Sequence, residues 1–350
     1  MAAQTLPLGK KTRVIIKIVG IPPNKSGLVE ENDLKAKAMK RAKNLFEKIC
    51  SLDNLRLADN NAQKGKSKQQ GVILHNKNKE ENLILLRQML LNRTYKTSPY
   101  TTFKIYEPKE RDVFRLPYFP DRITHHAIMN ILGPIFTSTF TADTYSCIKG
   151  KGIHAAASNV KKALKDFAGT TYCLKLDIKK FYPSVNHEIL KSLLHRKFKD
   201  ANLHWLLGEI IDSAEGLPIG NYLSQYFANF YLTYFDHWLK EDKGVKVYFR
   251  YADDMVVLAP IKSYLHQLLA DISEYLVQKL KLQVKENYQV FPVEARGIDF
   301  VGYVFFHSYT LLRKSIKQNF ARMLQSRKNK ESIAAYNGWA KHCNSRQAFT

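Results

Sequence analysis

Two adjacent carboxylates, Asp253 and Asp254, stand within YFRYADDMVVLAP (residues 248–260), between stretches of the residue types that favour β-strands. The flanks read as a hairpin with Ala252 and Asp253 in its turn. Alone, such an acid pair is explained as well by a hydrogen-bonded turn as by chemistry. A third acid changes that balance. Asp177 closes an earlier strand in TTYCLKLDIKKFYPSV, where Tyr172, Leu174 and Leu176 alternate with Cys173, Lys175 and Asp177. Side by side in one antiparallel sheet, the two strands would gather the carboxylates, and like charges so gathered require a cation. Hard carboxylate oxygens suit Mg²⁺, which takes one or two protein carboxylates plus substrate phosphates. Two such ions about 4 Å apart serve in-line phosphoryl displacement, with Mn²⁺ as a substitute.

Other elements must position these acids. Residues 41–58 and 80–92 have helical spacing of apolar residues, and the basic stretch QKGKSKQQG lies between them. TTFKIYEP and RDVFRLPYF read as a second hairpin carrying Lys104, Lys109, Arg111 and Arg115, a plausible phosphate binder. A helix is expected to follow in PDRITHHAIMNILGPIF, and another from Asn186. After GLPIGN, residues 222–240 are expected as one aromatic helix striped by Tyr222, Tyr226, Phe230, Tyr234 and Trp238, with Ser224, Asn229 and Asp236 off the stripe. Then come an amphipathic helix at YLHQLLADISEYLVQKL, strands around LQVKENYQVF and IDFVGYVFF, and a basic helical tail. Residues 1–40 combine a β-like run, RVIIKIV, with the breaker segment GIPPNKSG, and carry no assigned role.

The chain has 350 residues, 45% of them hydrophobic, enough for a sizeable core. With 55 Lys and Arg against 31 Asp and Glu, the formal charge of +24 asks for a polyanionic partner, of which nucleic acid is the commonest. No apolar run approaches the roughly 20 residues that span a bilayer, and the N-terminus lacks a signal-peptide layout, so a cytoplasmic protein with no membrane partner is expected. Cys50, Cys147, Cys173 and Cys343 lack paired spacing, and reduced thiols without structural zinc are expected.

YADD in a hairpin, LDIKKFYPSV before it and IGNYLSQ between them resemble, in order, the palm motifs of reverse transcriptases. RLPYFPDRI, YSCIKGKGIH and GIDFVGY resemble the flanking finger and primer-grip segments, so that the likeness covers about residues 40–345. It implies an α+β right-hand polymerase fold: fingers at 41–170, a palm of antiparallel sheet and helices at 171–305, and a short helical thumb at 306–350. Residues 1–40 would be an extension. It makes Asp177 and Asp253 the metal-binding pair, Asp254 the neighbouring catalytic acid, and the Ile178 carbonyl a further ligand. Tyr182 matches the aromatic gate against a ribose 2′-OH. Lys109 and Arg111 match residues that hold the incoming triphosphate, with Gly220 also at the nucleotide, and Arg115 or Lys104 as alternatives for the phosphate role. Gly302 and Tyr303 fall in the primer grip.

Most such enzymes carry Gln-Gly-x-x-x-Ser-Pro where this chain has Ile219-Gly220-Asn221-Tyr222-Leu223-Ser224-Gln225. Ile-Gly-x-x-x-Ser-Gln resembles the diversity-generating retroelement group, bacterial or phage enzymes that copy a template RNA with errors opposite adenine, as do ADNNAQKGK, LPYFPDRI and YNGWAKHCNS. Ile219, Ser224 and Gln225 would then bear on template and fidelity, since Ile219 replaces an amide's hydrogen bonds by an apolar contact. The resemblance implies as partners a template RNA, an RNA or DNA primer, the cDNA product, deoxynucleotides and a small basic pentameric accessory protein. No endonuclease or maturase extension and no Asn-Ala-x-x-His segment is evident, which weighs against group II intron and retron enzymes. The alternatives are a defence-associated or other group II-like reverse transcriptase without programmed mutagenesis, an RNA polymerase with the same palm, and an inactive RNA-binding scaffold.

Overall fold

The computed structural model describes residues 41–106, 110–326 and 330–344. Residues 1–40 and Lys109 lie outside them. Strands and helices follow the expected alternation, and three antiparallel sheets result. The first is the hairpin of β1 (Thr101–Ile105) and β2 (Arg111–Arg115), in register from Thr101 opposite Arg115 to Ile105 opposite Arg111. The second contains β3 (Tyr172–Leu176), β4 (Val247–Tyr251), β5 (Asp254–Ala259) and β6 (Gln289–Pro292) in the order β4-β5-β3-β6. The third joins β7 (Ile298–Phe300), β8 (Tyr303–Phe305) and β9 (Thr310–Leu312), so this sheet runs past residue 305, where the thumb was expected to begin.

The four-stranded sheet is covered on both faces, which is why its strands are apolar almost throughout. Leu174 and Leu176 of β3, with Met255 and Val257 of β5, join the larger core with the helices. Cys173, Val256 and Leu258 face the other way, into a smaller core with Phe291, Phe300 and Phe305. In the larger core Phe136 meets Phe198, Phe227 and Phe230 at ring-centroid distances of 5.7, 6.4 and 5.2 Å. Each such ring, fully buried, contributes roughly 1.5–3 kcal/mol through area removed from water.

Several elements are more broken than periodicity implied. The helix expected over 41–58 divides into Phe46–Cys50 and Leu52–Gln63, because Ser51 leaves the helical region and its hydroxyl accepts from the Asn54 amide at 3.3 Å. The basic stretch after it is mostly turn, as expected, and runs into a further short helix, Gln70–Lys77. The aromatic run likewise divides into Tyr222–Tyr231, Thr233–His237 and a wider turn, Trp238–Asp242. Of the strands expected around residues 282–291 only β6 forms, preceded by one isolated bridge between Ile178 and Val284. Among the described residues no helix is long and apolar enough to cross a membrane.

Candidate active site

Strand pairing brings the three acids together. β3 and β5 are antiparallel with Leu176 opposite Met255, so Asp177, just beyond Leu176, lies beside Asp254, just before Met255. In the β4-β5 hairpin Tyr251 pairs with Asp254, leaving Ala252 and Asp253 as the turn, as expected. By the two-residue period of a strand, Asp254 shares the face of Val256, and Lys175 shares that of Cys173, the face turned to the smaller core. Ala252 has φ +57°, in the left-handed region that non-glycine residues enter at a cost of roughly 1–2 kcal/mol.

The electrostatics mark this cluster as a place that holds charge under constraint. Burial, and next the Asp177 carboxylate, push the Asp253 carboxyl up to about 6. Burial also raises Asp254, against the pull of Lys175, whose Nζ lies 3.2 Å from Asp254 Oδ1. Lys285 Nζ is 2.7 Å from Asp177 Oδ2, and this hydrogen bond raises the Lys285 ammonium. Asp177 Oδ1 is buried with no hydrogen-bond partner. Among the described residues no three carboxylate, imidazole or thiolate groups converge as a metal-binding set. A lysine engages Asp177 and another engages Asp254, and each of these carboxylates keeps a buried oxygen without a hydrogen-bond partner. Hard carboxylate oxygens so gathered, with Asp253 beside them, fit a divalent ion such as Mg²⁺. Beside them a cavity of about 440 Å³ is lined by Lys175, Asp177, Asp254, Gln289, Arg296 and Asp299, among others.

The other expected site residues divide by position. Ile178 is buried, and its bridge to Val284 uses the Lys179 amide with the Gln283 carbonyl and the Lys285 amide with the Asp177 carbonyl, neither involving the Ile178 carbonyl. Tyr182 lies half-buried near the acids: burial raises its hydroxyl, Asp253 adds to that, and Arg111 opposes it. Arg111 is exposed on β2. Gly220 has φ +113°, and a Cβ there would come within 2.5 Å of the Phe114 carbonyl oxygen. One residue earlier, the Ile219 carbonyl accepts from the Phe114 amide at 2.7 Å, so this loop is locked to β2. Ile219 is half-buried, Ser224 buried and Gln225 exposed. Gly302 and Tyr303 sit beneath the helix Lys330–Ala340: a Cβ on Gly302 would meet the Trp339 ring at 2.5 Å, and the buried Tyr303 donates to the Trp339 carbonyl at 3.1 Å. Neither presents a free side chain to a primer. Arg115 lines a separate cavity of about 360 Å³ with Lys66, Arg122 and the stacked rings of His126 and Tyr222.

Lys175 and Lys285 were missed by sequence reading. Lys175 had a signal, two residues before Asp177 on the same strand face. Lys285 had none, since only the Ile178–Val284 bridge brings it to Asp177.

Residues 108–305, 198 of the 350, match the model of the reverse transcriptase (RNA-dependent DNA polymerase) family. The chain belongs to the reverse transcriptases. Its sheets and helices are accordingly the palm and fingers of that fold, and nucleotidyl transfer is its family's chemistry. It is 24% identical over 292 residues to Protein YkfC of Escherichia coli, covering 70% of this chain and 74% of that protein. It is also 24% identical over 177 residues to the group II intron-encoded protein LtrA of Lactococcus lactis, covering 47% of this chain and 29% of that protein. A telomerase structure from Candida tropicalis, in complex with a fragment of telomeric RNA, matches with a TM-score of 0.47 at 13% identity over 68% of this chain and 50% of that chain. So distant a likeness decides nothing about function. The chain thus spans well under half of LtrA and about half of the telomerase chain.

Proposed function

We propose that this reverse transcriptase copies a template RNA into adenine-mutagenised cDNA for diversification of a target gene. The observation that carries the polymerase chemistry is the acid cluster itself: strand register sets Asp177 beside Asp254, and the turn just before Asp254 carries Asp253, whose carboxyl is pushed up by burial and then by the Asp177 carboxylate. Asp177 and Asp253, with the Ile178 carbonyl, would hold divalent ions. When bound, such ions lower the pKa of an attacking hydroxyl and offset charge on the transferring phosphate. The chain's own groups do the rest. Asp254, held by Lys175, keeps a third negative charge at the strand end. Arg111 offers a guanidinium fork to phosphate oxygens. The Tyr182 ring, within electrostatic reach of Asp253 and Arg111, would serve as the gate against a ribose 2′-OH. Lys285 shields Asp177 before substrate arrives. The basic surface serves the template RNA, the primer, the cDNA and a small basic oligomeric accessory protein in the cytoplasm of a bacterial cell.

The mutagenic reading rests on Ile219-Gly220-Asn221-Tyr222-Leu223-Ser224-Gln225. This loop is tied to the fingers hairpin through Ile219 and Gly220, so changes in it bear on how a template nucleotide is held. A second reading has its own support. The relatives named for introns, among them LtrA, favour a group II-like reverse transcriptase without programmed mutagenesis, and they reopen an assignment that the missing motifs had weighed against. cDNA synthesis by purified protein on an adenine-rich RNA, with Mg²⁺ or with chelator, separates the two. Mg²⁺-dependent product with errors concentrated at adenine, lowered in Ile219→Gln, supports the mutagenic reading. Uniform errors unchanged by Ile219→Gln sink it and leave the group II-like one.

A further inference from the structure

Beneath the turn that carries Asp253 lies a buried charged network. Arg250 and Asp236 are both fully buried, with Nη2 2.5 Å from Asp236 Oδ2 and Nε 2.8 Å from Oδ1. Asp236 also accepts from the Tyr248 hydroxyl at 2.8 Å and the Thr144 hydroxyl at 3.2 Å. The other arm of the guanidinium reaches forward: Nη1 donates to Asn229 Oδ1 at 3.2 Å and to the Ala252 carbonyl at 3.0 Å. Asn229 in turn donates to the Ser146 carbonyl at 2.8 Å. The Arg250 backbone is held as well, its amide donating to the Asp143 carbonyl at 2.9 Å and its carbonyl accepting from the Tyr145 amide at 3.0 Å.

Stability alone does not call for this arrangement. A buried ion pair can usually be replaced by apolar side chains of similar volume with little loss. The distinctive feature is where the fork points. Ala252 is a non-glycine residue at φ +57°, a conformation it would leave unless held, and the Arg250 Nη1 bond to its carbonyl is such a hold. A planar guanidinium can grip Asp236 and reach Asn229 and Ala252 at once, whereas a lysine ammonium cannot. The same contacts explain why Asn229 and Asp236 stand off the aromatic stripe, and what the segment around Thr144 and Ser146 does: all three converge on one turn.

We infer that Arg250 is a positioning residue, anchored by Asp236, that fixes the Ala252 carbonyl and so aims Asp253. This rests on the reading of Asp253 as a metal-holding acid. The test uses Arg250→Lys, which keeps the charge and loses the fork, and Arg250→Met with Asp236→Leu, which removes both charges. If the first fails to fold, the second is read in the same way. Hydrogen exchange in chelated protein is expected to quicken at least tenfold at the amides of Ala252, Asp253 and Asp254, with β3 amides unchanged. In parallel, kcat should fall at least tenfold while the RNA Kd stays within twofold. Turn exchange and kcat within twofold of wild type overturn the inference. So does protection lost equally across β3, which would make the network merely structural. Asp253→Asn in the same assay separates the two readings: full activity sinks the reading of the site, whereas inactivity beside a fully active Arg250→Lys sinks only this inference.

Discussion

Two short segments carry the residues proposed for catalysis and for template reading, and they are held in different ways. The turn at Ala252–Asp253 is anchored from below by a fully buried guanidinium, with pairing on both of its strands. The loop at Ile219–Asn221 is anchored by the Ile219 carbonyl's hydrogen bond from Phe114, by the space that only Gly220 leaves open, and by the buried Asn221 side chain donating to the Tyr100 hydroxyl at 2.8 Å, beside a hairpin whose own residues are largely exposed. The proposed reacting acids are over-determined by the core, while the segment proposed to read the template is held by a few contacts to a hairpin and its neighbouring side chains. Chemistry of this kind tolerates little movement of a metal ligand. Template discrimination rests on differences of a few kcal/mol, which a side-chain exchange such as that at Ile219 can alter without disturbing the fold.

The contrast can be broken at its rigid end first. Asp177→Asn or Asp253→Asn should lower cDNA synthesis by about a thousandfold or more, since either removes a carboxylate from the proposed ion site. Primer extension at saturating Mg²⁺ measures it, and a loss under tenfold would refute the assignment. Next comes the attachment of the loop to the β1-β2 hairpin. Gly220→Ala places a Cβ 2.5 Å from the Phe114 carbonyl at φ +113°, and strain of roughly 1–3 kcal/mol should lower the melting temperature and cut kcat about tenfold. Retained melting temperature and kcat would mean that loop and hairpin are not locked.

A smaller effect is expected at Tyr182. Tyr182→Ala should narrow discrimination against ribonucleotides by roughly tenfold, as fits the loss of one steric contact, read as the ratio of kcat/KM values. A wild type that uses both nucleotides equally would instead favour an RNA polymerase.

The smallest expected effect is on stability and pH. Because the folded Asp253 carboxyl titrates near 6, above its ordinary value of 3.8, the metal-free fold takes up a proton that the unfolded chain does not hold. The penalty is therefore full above about pH 6 and is relieved as pH falls toward 4. Asp253→Asn should raise the melting temperature of chelated protein at neutral pH, by roughly 1–3 kcal/mol in stability, and should flatten that pH dependence. Mg²⁺ protection of the wild type should fade below about pH 6. Identical melting curves for the two proteins across this range would show that the acids do not strain one another.

The acids, their strands and their order were legible from the residues, because a strand's two-residue period and a hairpin's turn chemistry are local properties. Asp177 at a strand end followed from the alternation of Tyr172, Leu174 and Leu176, and Asp253 in a turn from the strand-like runs Val247–Tyr251 and Met255–Leu258 on either side. Breaks within helices were less legible. The aromatic stripe continues past Leu232 in sequence, but the chain departs from a single helix there, and Asp236 beyond the break meets Arg250. Similarly, nothing near Lys285 in sequence announces Asp177, 108 residues away.

By itself the sequence determined the expected chemistry: basic charge for a polyanion, three acids at the ends of two strands and in the hairpin turn between, and a loop motif that departs from its family's commonest form. The tertiary structure alone decided how those acids are held. Lys175 and Lys285 clasp two of them, Arg250 props the third through Ala252, and Tyr303 and Gly302 turn inward beneath Trp339. The reason is physical. Side-chain periodicity reports which face a residue takes on its own element, whereas a buried ion pair or a close backbone approach is made between elements distant in the chain, and only packing brings them within hydrogen-bond reach.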